Sequence, residues 1–166
     1  FRESDVEDAA RRFLNILWNS LVYWKTYAKS GVKTSKAALH PRLIVNRWLA
    51  ARLAEVSADM ARSLDAYDIT RAARLLEEFV AEDLSRWYIR RIRDAIRFGD
   101  KKERAEVSAV FGRTLLEIAR LAAPFVPFLA ERMYRDGGGR EASAHLESWM
   151  KTRELREEDK KLLTAM

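Results

Sequence analysis

Arginines recur at a helical spacing in one segment of this 166-residue chain. Steps of 4, 3 and 4 residues place four of them on one face of an α-helix, and we call them the arginine stripe: Arg86, Arg90, Arg93 and Arg97. A guanidinium group can bind phosphate oxygens through two parallel hydrogen bonds, and a row of such contacts along a polynucleotide releases counterions. The spacing therefore indicates a surface for a polyanion, with Arg91 as a further candidate. Alternatively, these arginines only pair with Glu82, Asp94 and neighbouring acids along the helix.

A second basic feature lies in the loop after the first predicted helix, where Lys33 and Lys36 are further candidates for polyanion binding. The whole chain carries a formal net charge of +6. A charge of this size favours a polyanionic partner only weakly, because many basic domains simply have a solvated surface. His40 in the same loop reads as a surface residue.

The inventory of catalytic side chains is thin. The absence of cysteine excludes a disulfide framework, a thiolate zinc site and a cysteine nucleophile, and there are only 2 histidines. Neither a phosphate-binding glycine loop nor an H-E-x-x-H motif occurs. Glu77, Glu78 and Glu82 cluster without an E-x-x-H partner, so they read as a solvated acidic face. We expect no catalytic site, metal or cofactor in this chain.

Apolar residues at steps of three and four predict the helices that position these side chains. The apolar ladders run over residues 10–28, 45–64, 72–87 and 107–121. Asp68 is expected to cap the third helix, which should run to Phe98, and Pro127 to start a shorter helix that ends near Tyr134. The predicted fold is all-α: an antiparallel bundle of four long helices plus shorter C-terminal helices.

Two residues of the third helix are expected to face the core, because they continue the steps of four from Phe79. Asp83 should be buried and paired with an arginine, since an unpaired buried carboxylate is costly. Trp87 is expected to belong to the core, although it could instead stack on a ligand.

Five segments of characteristic sequence follow one another in a fixed order. They are 13–19 with Tyr27-Ala28, 46–53, 67–91, 121–131 and 143–149. Segment 46–53 (N-R-W-L-A-A-R-L) is similar to the pattern D-R-W-I-L-S-R-L, and segment 121–131 contains A-P-F-V-P-F-L-A-E. Together they resemble the anticodon-binding helical domain of class I aminoacyl-tRNA synthetases of the isoleucine, valine and leucine group. The run 87–91 (W-Y-I-R-R) and the His145-Leu146 ending are closest to the isoleucine enzymes. Asn46, Arg86 and Met150 depart from the usual Asp, Asn and Pro.

The resemblance implies a tRNA-binding domain over residues 1–150, with 151–166 as the start of a connection to a C-terminal region. The parent would be a cytoplasmic, ATP-dependent isoleucine–tRNA ligase with its catalytic domain elsewhere. The implied partners are an isoleucine-accepting tRNA and the parent's other domains, with no membrane. The residues expected to contact tRNA are Arg86, Arg90, Arg91, Arg93, Arg97, Lys33 and Lys36, and Asp83 could help to position it.

Three alternatives remain open at this point. The same domain of a valine or leucine enzyme would share most of these segments. A helical module that docks on proteins and never touches RNA would have the same composition. A bundle enzyme with a carboxylate metal site is the third, although the chain offers no histidine-containing ligand pattern for it.

Overall fold

The computed structural model of the chain describes residues 2, 8, 11–28, 41–150 and 156–165, and these contain helices and turns but no strand. Six helices follow one another in this part of the chain: α1 (11–28), α2 (Ile44–Asp65), α3 (69–98), α4 (Lys101–Ala122), α5 (Pro127–Asp136) and α6 (Glu157–Ala165). A single 3₁₀ turn, Ala144–Leu146, follows α5. The all-α prediction is confirmed. The arrangement of the four long helices as one antiparallel bundle stays a prediction.

Helix α4 lies at the centre of the core, because 14 of its 22 residues are buried. The apolar positions predicted for it are all 2% exposed or less: Val107, Phe111, Leu115, Ile118 and Leu121. The predicted ladder of α2 is buried from Leu49 to Met60, and Leu17 and Leu21 of α1 are buried as well. Spacing by three and four therefore identified the core faces of α1, α2 and α4 correctly.

Helix α3 changes its winding partway along. It is α-helical over Ile69–Glu78, takes wider π-type turns over Phe79–Ile89, and is α-helical again over Arg90–Phe98. In the wide turns Phe79 and Val80 are both buried, and the buried positions continue through Leu84 to Tyr88 and Ile89. Tyr88 is fully buried, whereas Trp87, the predicted core residue, is half-buried.

Helices α2 and α3 run antiparallel. The pairs Asn46–Tyr88, Trp48–Trp87 and Arg52–Asp83 advance along α2 while they recede along α3. A short turn joins the two helices, and the Asp68 carboxylate accepts a hydrogen bond from the Arg71 N–H (2.9 Å). The predicted cap is therefore confirmed.

The C-terminal helix α6 packs on α2. Arg47 Nη2 lies 2.7 Å from Asp159 Oδ1, and Arg156 bonds the other oxygen of the same carboxylate. Burial alone would raise the pKa of Asp159, but hydrogen bonds from Arg47 and Arg156 outweigh it and lower that pKa. Within the described ranges, no helix has the length and apolar character to span a bilayer.

Candidate nucleic-acid interface

All four side chains of the arginine stripe are exposed on α3. Arg86 is engaged, since its Nη1 lies 2.6 Å from Glu82 Oε1. Arg90, Arg93 and Arg97 form no ion pair with any residue that the structure describes. Three guanidinium groups on one face are thus available for an anion, while the alternative of pairing along the helix holds for Arg86.

Arg91 lines one surface depression together with Arg86, Arg90 and Trp87. Its guanidinium carbon sits 3.9 Å from the centre of the Trp87 ring, and the Trp87 ring packs on Trp48 with centroids 4.0 Å apart. Trp48 is buried, so the three side chains form a layered stack from the core outward. The planar face of Arg91 ends this stack at the surface.

Two tyrosines of α1 lie beside the stripe, which the sequence did not indicate. The Tyr23 and Tyr27 ring centroids are 5.2 Å apart. Burial raises the pKa of Tyr23, and the nearby positive charges of Arg93 and Arg97 act in the opposite direction. The C-terminal half of α1 and the end of α3 therefore present aromatic and basic side chains together, and we call Tyr23, Tyr27, Arg93, Arg97 and Phe98 the α1–α3 surface.

An ion pair below this region fixes α3 against α2. Arg52 Nε donates to Asp83 Oδ2 at 2.7 Å, and Arg52 also pairs with Glu55. The predicted pairing of Asp83 with an arginine is confirmed, while its side chain is half-buried and not fully buried as predicted. The pKa of Asp83 is raised, because the effect of burial exceeds the opposite effect of hydrogen bonding to Arg52. Asp83 thus has a structural partner within the fold.

A buried polar network joins α2, α3 and α4 at the level of the stripe. The Tyr88 hydroxyl donates to Asn46 Oδ1 (2.8 Å), and Asn46 Nδ2 donates to Glu106 Oε1 (2.9 Å). Burial, assisted by the negative charge of Glu106, raises the pKa of Tyr88, so its phenol keeps the proton that it donates. Asn46, which replaces the usual aspartate of the family pattern, uses both ends of its amide here.

The lysine candidates cannot be placed on this surface. Lys33, Lys36 and His40 lie outside the described residues. The chain is described again from residue 41, and the backbone N–H groups of Arg42 and Leu43 both donate to Glu106. His145 is described, in the 3₁₀ turn. Among described residues, no group of three or more histidines or carboxylates could hold a metal ion.

The family described as the anticodon-binding domain of tRNA ligase matches residues 46–166, and the chain belongs to that family. This membership makes tRNA the expected partner.

Individual relatives narrow the comparison. The chain is 38% identical over its whole length to the isoleucine–tRNA ligase of Deinococcus radiodurans, of which it covers 15%. Over 90% of its length it is 36% identical to the isoleucine–tRNA ligase of Methanopyrus kandleri, covering 14% of that protein. The enzyme of the same name from Thermus thermophilus is 37% identical over 79% of the chain, or 13% of its own length. The chain thus spans about a seventh of each relative.

Proposed function

We propose that this chain binds the anticodon stem and loop of an isoleucine-accepting tRNA as one domain of a longer isoleucine–tRNA ligase. Activation of isoleucine with ATP would take place in a catalytic domain elsewhere in that parent, and this domain would position the tRNA for it in the cytoplasm. The match to isoleucine–tRNA ligases supports isoleucine over valine and leucine.

The observation that carries the proposal is the row of guanidinium groups on α3. Arg90, Arg93 and Arg97 are exposed, lie on one helical face, and have no acidic partner in the described part of the chain. Three or four residues of α-helix advance about 4.5–6 Å along the axis, so neighbouring arginines can reach successive phosphates. Such contacts fix the position of an RNA backbone, while specificity comes from groups that reach unpaired bases.

The arginine stripe is tested with Arg90→Gln combined with Arg93→Gln. Glutamine removes the charges without adding new ones. Each lost phosphate contact changes log K by about 0.7 per tenfold change in salt for single strands. Two contacts therefore account for about 1.4 log units between 1 M and 0.1 M salt, and we expect about 25-fold weaker binding of an anticodon stem–loop near 0.1 M. Fluorescence anisotropy with labelled RNA measures this directly.

A matched control lies at the far end of α3, beside the turn that joins it to α2. The control variant combines Arg62→Gln in α2 with Arg71→Gln in α3. Both side chains are exposed, and Arg62 already pairs with Asp59. Arg71 lies in the first turn of α3, more than four helical turns before Arg90. We expect this control variant to bind the RNA with an affinity within about twofold of that of the unsubstituted 166-residue chain. Equal losses in the two double variants would mean that net charge, and not the stripe, governs binding.

A further inference from the structure

An exposed aromatic ring lies at one end of the α1–α3 surface, near two arginines that form no ion pair with any described residue. Tyr27 is 62% exposed, and its ring rests against Tyr23. Tyr23 in turn lies within electrostatic range of Arg93 and Arg97. The Arg97 guanidinium carbon also lies 5.7 Å from the centre of the Phe98 ring, which is 79% exposed. The exposed rings of Tyr27 and Phe98 are thus both connected to these arginines, Tyr27 through Tyr23 and Phe98 through its contact with Arg97.

The half-buried Trp87 and the exposed Phe128 lack this combination. The ring of Trp87 contacts Trp48 and Arg91, so it offers little free area to a ligand. Phe128 is 91% exposed on α5. However, the arginines of α5 are engaged in ion pairs, namely Arg132–Asp136 and Arg135–Glu131. A phosphate next to Phe128 would have to compete with these carboxylates, whereas Arg93 and Arg97 form no ion pair with any residue that the structure describes.

We propose that Tyr27, supported from behind by Tyr23, stacks on one unpaired base of a bound RNA, while Arg93 and Arg97 hold the phosphates on either side of that nucleotide. This inference rests on the proposed function and specifies its ligand. Arg93 and Arg97 are four residues apart, about 6 Å along the helix axis, so each can serve a different phosphate. The base must be unpaired, because both faces of a paired base are covered by its neighbours in the duplex. The surface therefore binds the loop of a stem–loop and not its stem.

A double-mutant cycle between protein and RNA tests the stacking contact. The 166-residue chain and its Tyr27→Leu variant are titrated with an anticodon stem–loop and with versions that carry one abasic nucleotide at each loop position in turn. Loss of a base–aromatic stack weakens binding at least about fivefold. We expect this loss for Tyr27→Leu on the intact RNA, and for one abasic RNA with the parent chain. Tyr27→Leu combined with that abasic RNA should weaken binding no more than either change alone, since both remove the same contact.

Controls separate stacking from folding and charge. Tyr27→Phe keeps the ring and should bind RNA as tightly as the unsubstituted chain. Phe128→Leu removes a still more exposed ring elsewhere and should leave the affinity unchanged. Tyr27→Leu should leave the salt dependence unchanged because it removes no charge. The stacking inference is wrong, while the proposed function stands, if Tyr27→Leu binds RNA as tightly as the unsubstituted chain. It is also wrong if the loss of affinity from Tyr27→Leu adds to the loss seen with every abasic RNA. If the parent chain binds no stem–loop even at low salt, both fail.

Discussion

Replacement of the buried Glu106 should loosen the junction of α2, α3 and α4. One oxygen, Oε1, accepts hydrogen bonds from Arg42 N (2.9 Å), Leu43 N (2.8 Å) and Asn46 Nδ2 (2.9 Å). Only 8% of Glu106 is exposed. Leu43, the N-cap residue of α2, has no capping side-chain hydrogen bond of its own. A carboxylate from α4 thus satisfies the donors at the start of α2.

The magnitude follows from the three bonds. A hydrogen bond to a charged group contributes about 1.5–3 kcal/mol, and a neutral one about 0.5–1.5 kcal/mol. Glu106→Gln keeps an acceptor but loses the charge, while the lower cost of burying a neutral amide offsets part of the loss, so the free energy of unfolding should fall by about 2 kcal/mol. Glu106→Leu leaves three donors without an acceptor, and a fall of about 3–5 kcal/mol is expected.

Urea unfolding followed by tryptophan fluorescence and by circular dichroism measures both values. Glu78→Gln is the matched control, because Glu78 is an exposed helical glutamate, and its variant should unfold within about 0.5 kcal/mol of the parent. The reasoning is refuted if Glu106→Leu unfolds at the same urea concentration as the parent chain.

The buried network of Tyr88, Asn46 and Glu106 predicts how the stability of an Asn46→Asp variant depends on pH. An aspartate would place two carboxylates at hydrogen-bond distance in a buried site, so one of them must hold a proton and its folded pKa rises. A group with a raised folded pKa stabilises the fold below its unfolded pKa, and that stability is lost as the pH rises through the folded value. Asn46→Asp should therefore be closest to the parent in acid and least stable near neutral pH. A difference from the parent that does not change with pH would contradict this.

Two further predictions concern packing and acid stability. Gly112→Ala should lower the free energy of unfolding by about 1–3 kcal/mol despite the better helix propensity of alanine, because its Cβ would lie 2.5 Å from Trp24 Cζ2; equal or higher stability in urea would refute this. Hydrogen bonds from Arg135, the Ala144 N–H and the Ser143 hydroxyl lower the pKa of Glu131 to about 2. A lowered folded pKa contributes stability above the unfolded value, near 4.3, that is lost as the pH falls toward the folded value. The unsubstituted chain should therefore lose its stability advantage over Glu131→Gln as the pH falls across that range. A difference in urea midpoint that stays constant with pH would contradict this prediction.

The sequence was sufficient for most of the fold, because steps of three and four describe a straight α-helix packed on one face. It failed where α3 winds more widely. There the buried positions continue from Val80 to Leu84 and Tyr88, one residue on from the series that starts at Phe79. Trp87 was consequently placed too deep, and Tyr88 was not recognised as a buried hydrogen-bond donor.

The candidate site was only partly predictable for a related reason. The spacing of the stripe is local, so the sequence shows it directly, and the pairing of Arg86 with Glu82 follows from an i, i+4 relationship. The approach of Tyr23 to Arg93 and Arg97 depends on how α1 packs against α3, which no local pattern encodes. Glu106 was missed because a single glutamate in an amphipathic helix normally lies in solvent.

The salt dependence of RNA binding tests the central claim most directly. The affinity of the chain for an anticodon stem–loop is measured across a range of salt concentrations, with and without Arg90→Gln and Arg93→Gln. If these arginines hold phosphates, log K falls with log salt in the parent, and the slope is shallower by about 1.4 in the double variant. An identical slope and affinity in both proteins would contradict the assignment of the α3 arginines as the RNA-binding surface.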